Sequence, residues 1–238
     1  MRQRRTVILI SLLATTVAAY FGILARRGES SQTQAQAVLN IPPDIPLRAT
    51  AVSASATPSG SGGIQYTVVN RGGARLTALE VSWQLHFANG STPRVVQRTD
   101  YLLSAQGQLA PGDSGHFQVG KVTNAKPGME GSPLASAEGA VTYAEFADGT
   151  RSGSDVQRAS AYFTACRAAE MQEYAQVLRD YRQGGVNALN EALSWKHLPA
   201  IACGRAAWLQ MHQDEENKGV TGLVKELERL TALKMPGQ

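Results

Sequence analysis

An uncharged apolar run near the N-terminus, Thr6–Ala25, limits the folds open to this chain most strongly. A helix of this length, rising about 1.5 Å per residue, can cross the hydrocarbon core of a bilayer. More positive charge lies on its N-terminal side, which predicts a cytoplasmic N-terminus and extracytoplasmic residues 28–238. We therefore expect single-pass membrane insertion through residues 6–25. The flanking arginines are Arg2, Arg4, Arg5, Arg26 and Arg27.

A cleaved signal peptide is the alternative interpretation of this run. Residues 35–37 read Ala-Gln-Ala, which matches a small-residue cleavage site, although it lies 12 residues beyond the apolar run. Cleavage there would release a secreted or periplasmic chain that begins at Val38. The pair Arg4-Arg5 also resembles a twin-arginine signal, without the usual flanking residues. Each alternative exports the rest of the chain.

The formal charge of +4 comes from the N-terminal segment. Residues 1–27 contain five Arg and no acidic residue, whereas residues 28–154 contain eight basic and nine acidic side chains. Residues 155–238 contain ten of each. The exported part is therefore almost neutral, and we expect no nucleic-acid partner because no basic surface is available to follow phosphates.

Residues 47–153 have the pattern of a β domain. Leu79, Val81, Trp83, Leu85 and Phe87 alternate with polar residues, which predicts a strand with one buried face. Short strands are predicted at 47–55, 64–69, 79–87, 95–103, 116–122 and 138–146, with a return strand after Asp148-Gly149. We expect an antiparallel, Ig-like β-sandwich. It would follow a cytoplasmic tip and transmembrane anchor, residues 1–27, and a polar and proline-rich linker, residues 28–46.

Residues 154–235 have the pattern of a helical region, which makes the expected fold α+β overall. Ser154 or Asp155 is a predicted N-cap, and Gly184-Gly185 is the predicted end of the first helix. Charged residues such as Arg167 and Glu170 are assigned to its solvent-facing side. Three further helices are predicted at 186–193, after Pro199, and at 219–234. We expect these helices to bury their apolar faces against one another or against the sandwich.

The segment Gly112-Asp113-Ser114-Gly115 matches the nucleophile loop of trypsin-like serine proteases. A serine nucleophile also needs a nearby base, an orienting acid and oxyanion donors. The only upstream histidine, His86, is predicted on the outer face of its strand, and Pro111-Gly112-Asp113 is good turn chemistry. We therefore interpret this segment as a turn and predict no catalytic residues.

The two cysteines, Cys166 and Cys203, both lie in the helical region. Outside the cytoplasm they could form a disulfide; two free buried thiols are the alternative. Cys166, His197, Cys203 and His212 could in principle bind zinc, but their spacing matches no compact ligand motif. We predict no metal site and no cofactor. Trp195 and Trp208 are interpreted as core residues, with partner anchors as the alternative.

Two passages resemble known protein families. The passage VVNRGGARLTALEVSWQLHFANG, residues 68–90, is similar to extracytoplasmic Ig-like sandwiches of bacteria, including the FxLYD type. The passage VTYAEFADGTRSGSDV, residues 141–156, resembles a phrase before helical regions in bacterial envelope proteins. This resemblance implies an envelope location and no particular activity.

We therefore expect a non-catalytic envelope protein that binds or scaffolds another protein. Its partner surface would be a sandwich edge or the apolar side of the last helix. A solute- or glycan-binding module is one alternative. A hydrolase or metal-dependent enzyme that uses His or Cys of the helical region is the other.

Overall fold

A computed structural model describes residues 33–57, 61–103, 107–123 and 132–233. The predicted transmembrane helix, residues 6–25, lies outside these ranges. Within them, neither helix has a stretch long and apolar enough to span a bilayer. The strands are β1 Thr33–Asn40, β2 Leu47–Ala56, β3 Ser61–Asn70, β4 Leu76–Phe87, β5 Arg94–Asp100, β6 Ser114–Thr123, β7 Leu134–Phe146 and β8 Arg151–Ser152.

The prediction of an antiparallel Ig-like sandwich is wrong, because the strands form one mixed, eight-stranded sheet. The order is β5-β4-β7-β1-β2-β3-β6, and β8 pairs with β7. Strand β1 makes the sheet continuous: residues 33–35 pair antiparallel with β2, and residues 36–40 pair parallel with β7. This strand lies inside the predicted linker 28–46. Sequence reasoning missed it because TQAQAVLN contains few large apolar residues to mark a buried face.

The sheet curls into a nearly closed, barrel-like shape around one apolar core. Its two edge strands approach each other at Gln97 of β5. The Gln97 side chain accepts a hydrogen bond from the Tyr66 hydroxyl (2.9 Å) and donates one to the backbone carbonyl of Gln118 on β6 (3.4 Å). The Gln97 side chain therefore links the two edges. In a complete barrel, backbone hydrogen bonds between the edge strands would close this gap.

Strand β4 carries the centre of this core. All five residues of its alternating apolar pattern are buried, including Trp83. Trp83 lies flat against β7, where Gly139 leaves room for its ring. Glu80 and Ser82, two of the polar residues that alternate with the apolar residues of β4, are also buried. The alternation assigned these residues to solvent, but neighbouring side chains cover them: Arg94 donates to the Ser82 hydroxyl (2.6 Å), and Arg98 and Thr142 donate to Glu80.

Two long helices follow the sheet, α1 Ala159–Ala192 and α2 Ala202–Thr231, with a 3-10 turn at Trp195–His197 between them. Each helix is kinked at one glycine that leaves helical geometry, Gly185 (φ 63°, ψ −149°) and Gly219 (φ 66°, ψ 175°). Glycine adopts such positive φ angles without a Cβ penalty. The kinks fall where the sequence predicted one helix to end and another to begin.

We call residues 159–231 the helical module. It has its own apolar core, which includes Tyr174, Leu189, Trp208 and Leu223. A smaller cluster of Ala78, Tyr143, Ala159 and Phe163 joins the module to the outer face of the sheet.

The module docks at one end of the sheet, far from the start of β1. Gln36 of β1 pairs with Ser136, whereas the module contacts β7 at Tyr143 and Glu145. Nine residues separate Ser136 from Glu145 along one strand, which corresponds to about 30 Å. The chain therefore enters the sheet at the end opposite the helical module.

Candidate functional site

A buried arginine, Arg167 of α1, lies at the junction between the module and the sheet. Its guanidinium forms ion pairs with Asp100 at the end of β5 and with Glu145 of β7, each at 2.5 Å. A second nitrogen donates to the other Asp100 oxygen at 3.2 Å, which makes that pair bidentate. Arg167, assigned to the solvent-facing side from sequence, is thus one of the most enclosed charges described.

Further groups satisfy the Glu145 carboxylate. It accepts hydrogen bonds from the Thr77 hydroxyl (3.2 Å) and the Tyr143 hydroxyl (3.0 Å), and the Arg151 side chain lies 3.6 Å away. Burial raises the pKa of Tyr143, and the Glu145 charge adds to this effect. Burial also raises the pKa of Asp100, although the hydrogen bonds and charge of Arg167 oppose the rise.

A second ion pair, between Arg98 of β5 and Glu80 of β4, lies beside the first. The Arg98 Nε and Glu80 Oε2 atoms are 2.7 Å apart, and the Thr142 hydroxyl donates to the other Glu80 oxygen at 2.7 Å. The Arg98 guanidinium also lies 4.2 Å from the ring centroid of Tyr162 on α1. Such stacking attracts a cation to the negative face of an aromatic ring.

A cleft of about 340 Å³ opens between the end of β5, α1 and the start of α2. We call it the junction cleft. Its lining residues include Arg98, Asp100, Tyr162, Phe163, Cys166, Glu170, Tyr174, Cys203, Ala206 and Gln210.

Glu170 is the carboxylate of this cleft that lacks a close partner. Among the described residues it forms no hydrogen bond and no ion pair within 4.0 Å. Burial raises the pKa of Glu170 to about 7; the nearby Asp100 charge adds to the rise and Arg167 opposes it. This carboxyl group can therefore gain or lose a proton near neutral pH.

A disulfide between Cys166 of α1 and Cys203 of α2 forms one wall of the junction cleft. The two Cα atoms are 5.1 Å apart. The bond ties the start of α2 to the part of α1 that docks on the sheet. The zinc alternative therefore has no thiolate to use, because both cysteines are bonded.

The connection between α1 and α2 carries a second candidate surface. Trp195 is 68% exposed and Ile201 is 66% exposed, and Leu198 between them is also exposed. Leu209, further along α2, is also exposed. We call Trp195, Leu198, Ile201 and Leu209 the loop patch.

The loop patch is held by specific contacts with α2. The Trp195 ring packs 4.7 Å from the Trp208 ring and stacks on His212 at 5.5 Å. Arg205 donates hydrogen bonds to the carbonyls of Pro199 and Ala200, each at 3.3 Å. Trp208 is buried, as expected for a core residue, whereas Trp195 presents much of its ring to solvent.

The remaining residues singled out by sequence do not assemble into a site. His197 pairs with Glu191 at 3.2 Å, and His212 contacts the Leu193 carbonyl. Throughout the described ranges, no group of three His, Cys, Asp or Glu side chains is placed to hold a metal ion. Leu223, Leu227 and Leu230 are buried inside the helical module. The apolar side of the last helix is therefore unavailable as a partner surface.

Ser114 begins strand β6, and the segment before it is a turn. Gly112 has a φ of 86°, and its N–H donates to the Asn70 carbonyl at 2.8 Å. His86 lies on β4 and faces Glu138 of β7 at 4.0 Å. Ser114 pairs with Val69 of β3, whereas His86 pairs with Ser136 of β7. His116, two residues further on, bonds to the Thr67 hydroxyl at 2.9 Å, so neither histidine makes a hydrogen bond with this serine in the part of the chain that the structure describes.

Sequence reasoning missed the ion-pair network beside the junction cleft. Asp100, Glu145 and Arg167 come from three distant parts of the chain, so no spacing marks them as partners. One signal was available: Glu145 is an acidic residue inside an otherwise apolar and aromatic run, VTYAEF. A charged side chain in such a strand must either pair with a buried partner or lie at a sheet edge where water can reach it.

Comparisons with known proteins find no family model that matches this chain and no matching curated protein. Among solved structures, a hypothetical protein from Peptoclostridium difficile 630 is similar at 11% identity with a TM-score of 0.33; the match covers 49% of this chain and 90% of that one. The trimeric lipoprotein SadB of Salmonella enterica is similar at 8% identity with a TM-score of 0.23; the match covers 58% and 75%. Similarity this low supports no inference about fold or function.

Proposed function

We propose that this chain is an exported, non-catalytic protein of the cell envelope that binds a protein partner through its loop patch. The apolar run Thr6–Ala25 supports export, as either an anchor or a signal. The disulfide supports it independently, because such bonds persist in oxidising compartments.

The single observation that carries the binding role is the exposure of large apolar side chains in the α1–α2 connection. Trp195, Leu198 and Ile201 lie within seven residues. Large aromatic and aliphatic residues of this kind dominate the energetics of protein interfaces. Because Trp195 is packed against α2, little conformational entropy would be lost when a partner covers it.

The charges around the loop patch indicate what kind of partner it accepts. Lys196 and Arg205 are exposed in the same segment, where the acidic side chain of Glu191 is paired with His197 at 3.2 Å. A complementary partner would therefore have an apolar centre and acidic residues at its rim. If residues 6–25 are an uncleaved anchor, the bilayer is a poorer candidate, since β1 begins at the end of the sheet opposite the helical module.

Crosslinking in intact cells tests this proposal. A photoreactive residue at position 198 of the full-length chain should give one discrete protein adduct. The same residue at position 156 is the matched control, because Val156 is also an exposed apolar residue but lies outside the patch. Adducts to lipid alone at position 198, or equal protein adducts at both positions, would contradict the proposal.

Affinity for the crosslinked partner provides the quantitative test. Burying an exposed Ile contributes about 1.5–3 kcal/mol, so Ile201→Ser should weaken binding tenfold or more. Val156→Ser should leave the dissociation constant unchanged. Equal affinities for the two variants would show that the partner binds elsewhere on the molecule.

A further inference from the structure

We propose that the junction cleft binds a cationic organic group, a primary amine or a guanidinium, against the Glu170 carboxylate. The ligand could be a free amine or the side chain of a lysine or arginine in a partner. This inference is independent of the loop patch, because it rests on a different set of residues.

The first argument is the pairing of charges at the junction. Arg98 pairs with Glu80, and Arg167 pairs with both Asp100 and Glu145. Arg151 also lies beside Glu145. The three guanidiniums thus face three carboxylates, and Glu170 is a fourth carboxylate with no close counterion. A bound cation would provide that counterion in a partly desolvated place, where charge pairing is stronger than in water.

The second argument is the shape and chemistry of the cleft walls. Its volume of about 340 Å³ suits one extended side chain or a small amine. Tyr162, Phe163 and Tyr174 supply aromatic surface, and Ala206 and the disulfide supply apolar surface for a hydrocarbon stem. The Gln210 side chain lies in the same lining and can accept a hydrogen bond from an ammonium group.

The existing contact between Arg98 and Tyr162 shows how this cleft accommodates a cation. A guanidinium already stacks 4.2 Å from the centroid of that ring. The Phe163 ring already has the Arg167 guanidinium 5.8 Å from its centroid. Among the described residues, Tyr174 is the ring of the lining that has no such cation contact. A divalent metal would fit poorly, since it requires several oxygen ligands and the other carboxylates here are engaged by arginines.

Binding should depend on pH through Glu170. The charged groups around it are Arg98 and Asp100 from β5 and Arg167 from its own helix. No group from α2 titrates in the cleft lining. Four of its residues there have no ionisable side chain, and the fifth, Cys203, is disulfide-bonded; the five are Ala202, Cys203, Ala206, Ala207 and Gln210. With a Glu170 pKa of about 7, the ionised fraction falls about tenfold between pH 8 and pH 6. A primary amine stays protonated over this range, so its affinity should fall by the same factor.

The experiment is a titration of the purified, disulfide-intact protein with small cationic probes. Binding is monitored by NMR through a carbon-13 label in the glutamate carboxyl groups. The probes are n-butylamine, agmatine, and the capped tripeptides Gly-Lys-Gly and Gly-Glu-Gly. The three cationic probes should shift the Glu170 signal saturably, and the acidic tripeptide should not. Tighter binding of the lysine tripeptide than of butylamine would identify a protein side chain as the source of the ligand; the reverse would identify a free amine.

Two variants make the result decisive. Calorimetric titration with the lysine tripeptide at pH 8 gives the affinities of the variants. Glu170→Gln should reduce affinity at least tenfold, whereas Glu173→Gln, which removes the same charge from the same helix outside the cleft, should not. Ala206→Leu should also abolish binding by filling the cleft while Glu170 is retained. The proposal is overturned if no probe saturates the Glu170 signal, or if both glutamine variants lose affinity equally.

Discussion

Arg167 of α1 and Glu145 of β7 form an ion pair of 2.5 Å although 22 residues separate them in the chain, and their side chains are only 6% and 2% exposed. This pair, with Asp100, fixes the helical module to the end of the sheet. Charges this deeply buried are tolerated only when hydrogen-bonded partners replace the water they have lost. The junction should therefore be sensitive to the loss of any one partner.

Removing the arginine should be costly. Arg167→Met leaves Asp100 and Glu145 without their main counterion, and breaking a buried pair in this way costs about 3–5 kcal/mol. Arg179→Met is the control, since the Arg179 side chain is exposed and, among the residues described, forms a hydrogen bond only with Gln176. Urea unfolding should show the large loss for the first variant alone. If Arg167→Met lowers the free energy of unfolding by less than about 1 kcal/mol, water must solvate the two carboxylates in place of the arginine.

Stability should depend on pH through Glu170. Its folded pKa of about 7 lies above the ordinary value of 4.5, so the folded state binds this proton more tightly than the unfolded state does. The stabilisation is therefore complete below about pH 4.5 and is lost as the pH rises through 7. Unfolding of the wild type and of Glu170→Gln should be compared between pH 4.5 and pH 8. The wild type should lose stability relative to the variant as pH rises; parallel curves would refute this.

The disulfide should stabilise the helical module. Cys166 and Cys203 are 37 positions apart, and in the loop-entropy model a bond closing such a loop contributes roughly 3–4 kcal/mol. Replacing both cysteines by alanine should lower the free energy of unfolding by about this amount. The double variant avoids leaving one free thiol. Far-UV circular dichroism at 222 nm follows the helices of the module, and an unchanged unfolding curve would contradict the prediction.

A glycine beside Trp83 should be intolerant of a larger residue. A Cβ at Gly139 would lie 2.6–2.8 Å from three atoms of the Trp83 ring. Gly139→Ala should therefore cost about 1–3 kcal/mol through overpacking. Gly120→Ala is the matched control in strand β6, because a Cβ there meets no atom within 4 Å. Thermal unfolding should separate the two variants, and equal transitions would show that the sheet relaxes around the added methyl group.

The sequence predicted the structure well where a local pattern was strong. The alternation in β4 marks a strand whose five apolar residues are all buried, and the glycines at 184–185 and 219 mark kinks. It failed where pairing is non-local. Nothing in TQAQAVLN indicates that β1 pairs antiparallel with one strand and parallel with another. That one strand turns the expected sandwich into a continuous mixed sheet.

The candidate sites were predictable to different degrees. Cys166 and Cys203 could be proposed as a pair because the chain has only two cysteines. The sequence indicated either a core position or a partner contact for Trp195, since helical spacing alone cannot decide which face a residue occupies. Arg167 and Glu170 could not be distinguished from solvent-exposed charges. The docking of α1 on β5 and β7 buries Arg167, and the approach of α2 places Glu170 in a cleft where it is partly exposed.

The compartment of the helical module tests the proposed envelope role most directly. Cells that produce the full-length chain are lysed in denaturant with a large maleimide, one sample without reductant and one after reduction. An exported protein should contain bonded Cys166 and Cys203, so both should react only after reduction. A chain whose two cysteines react in denatured lysate without any reductant, and which fractionates with cytosol, would contradict export and with it the proposed binding role.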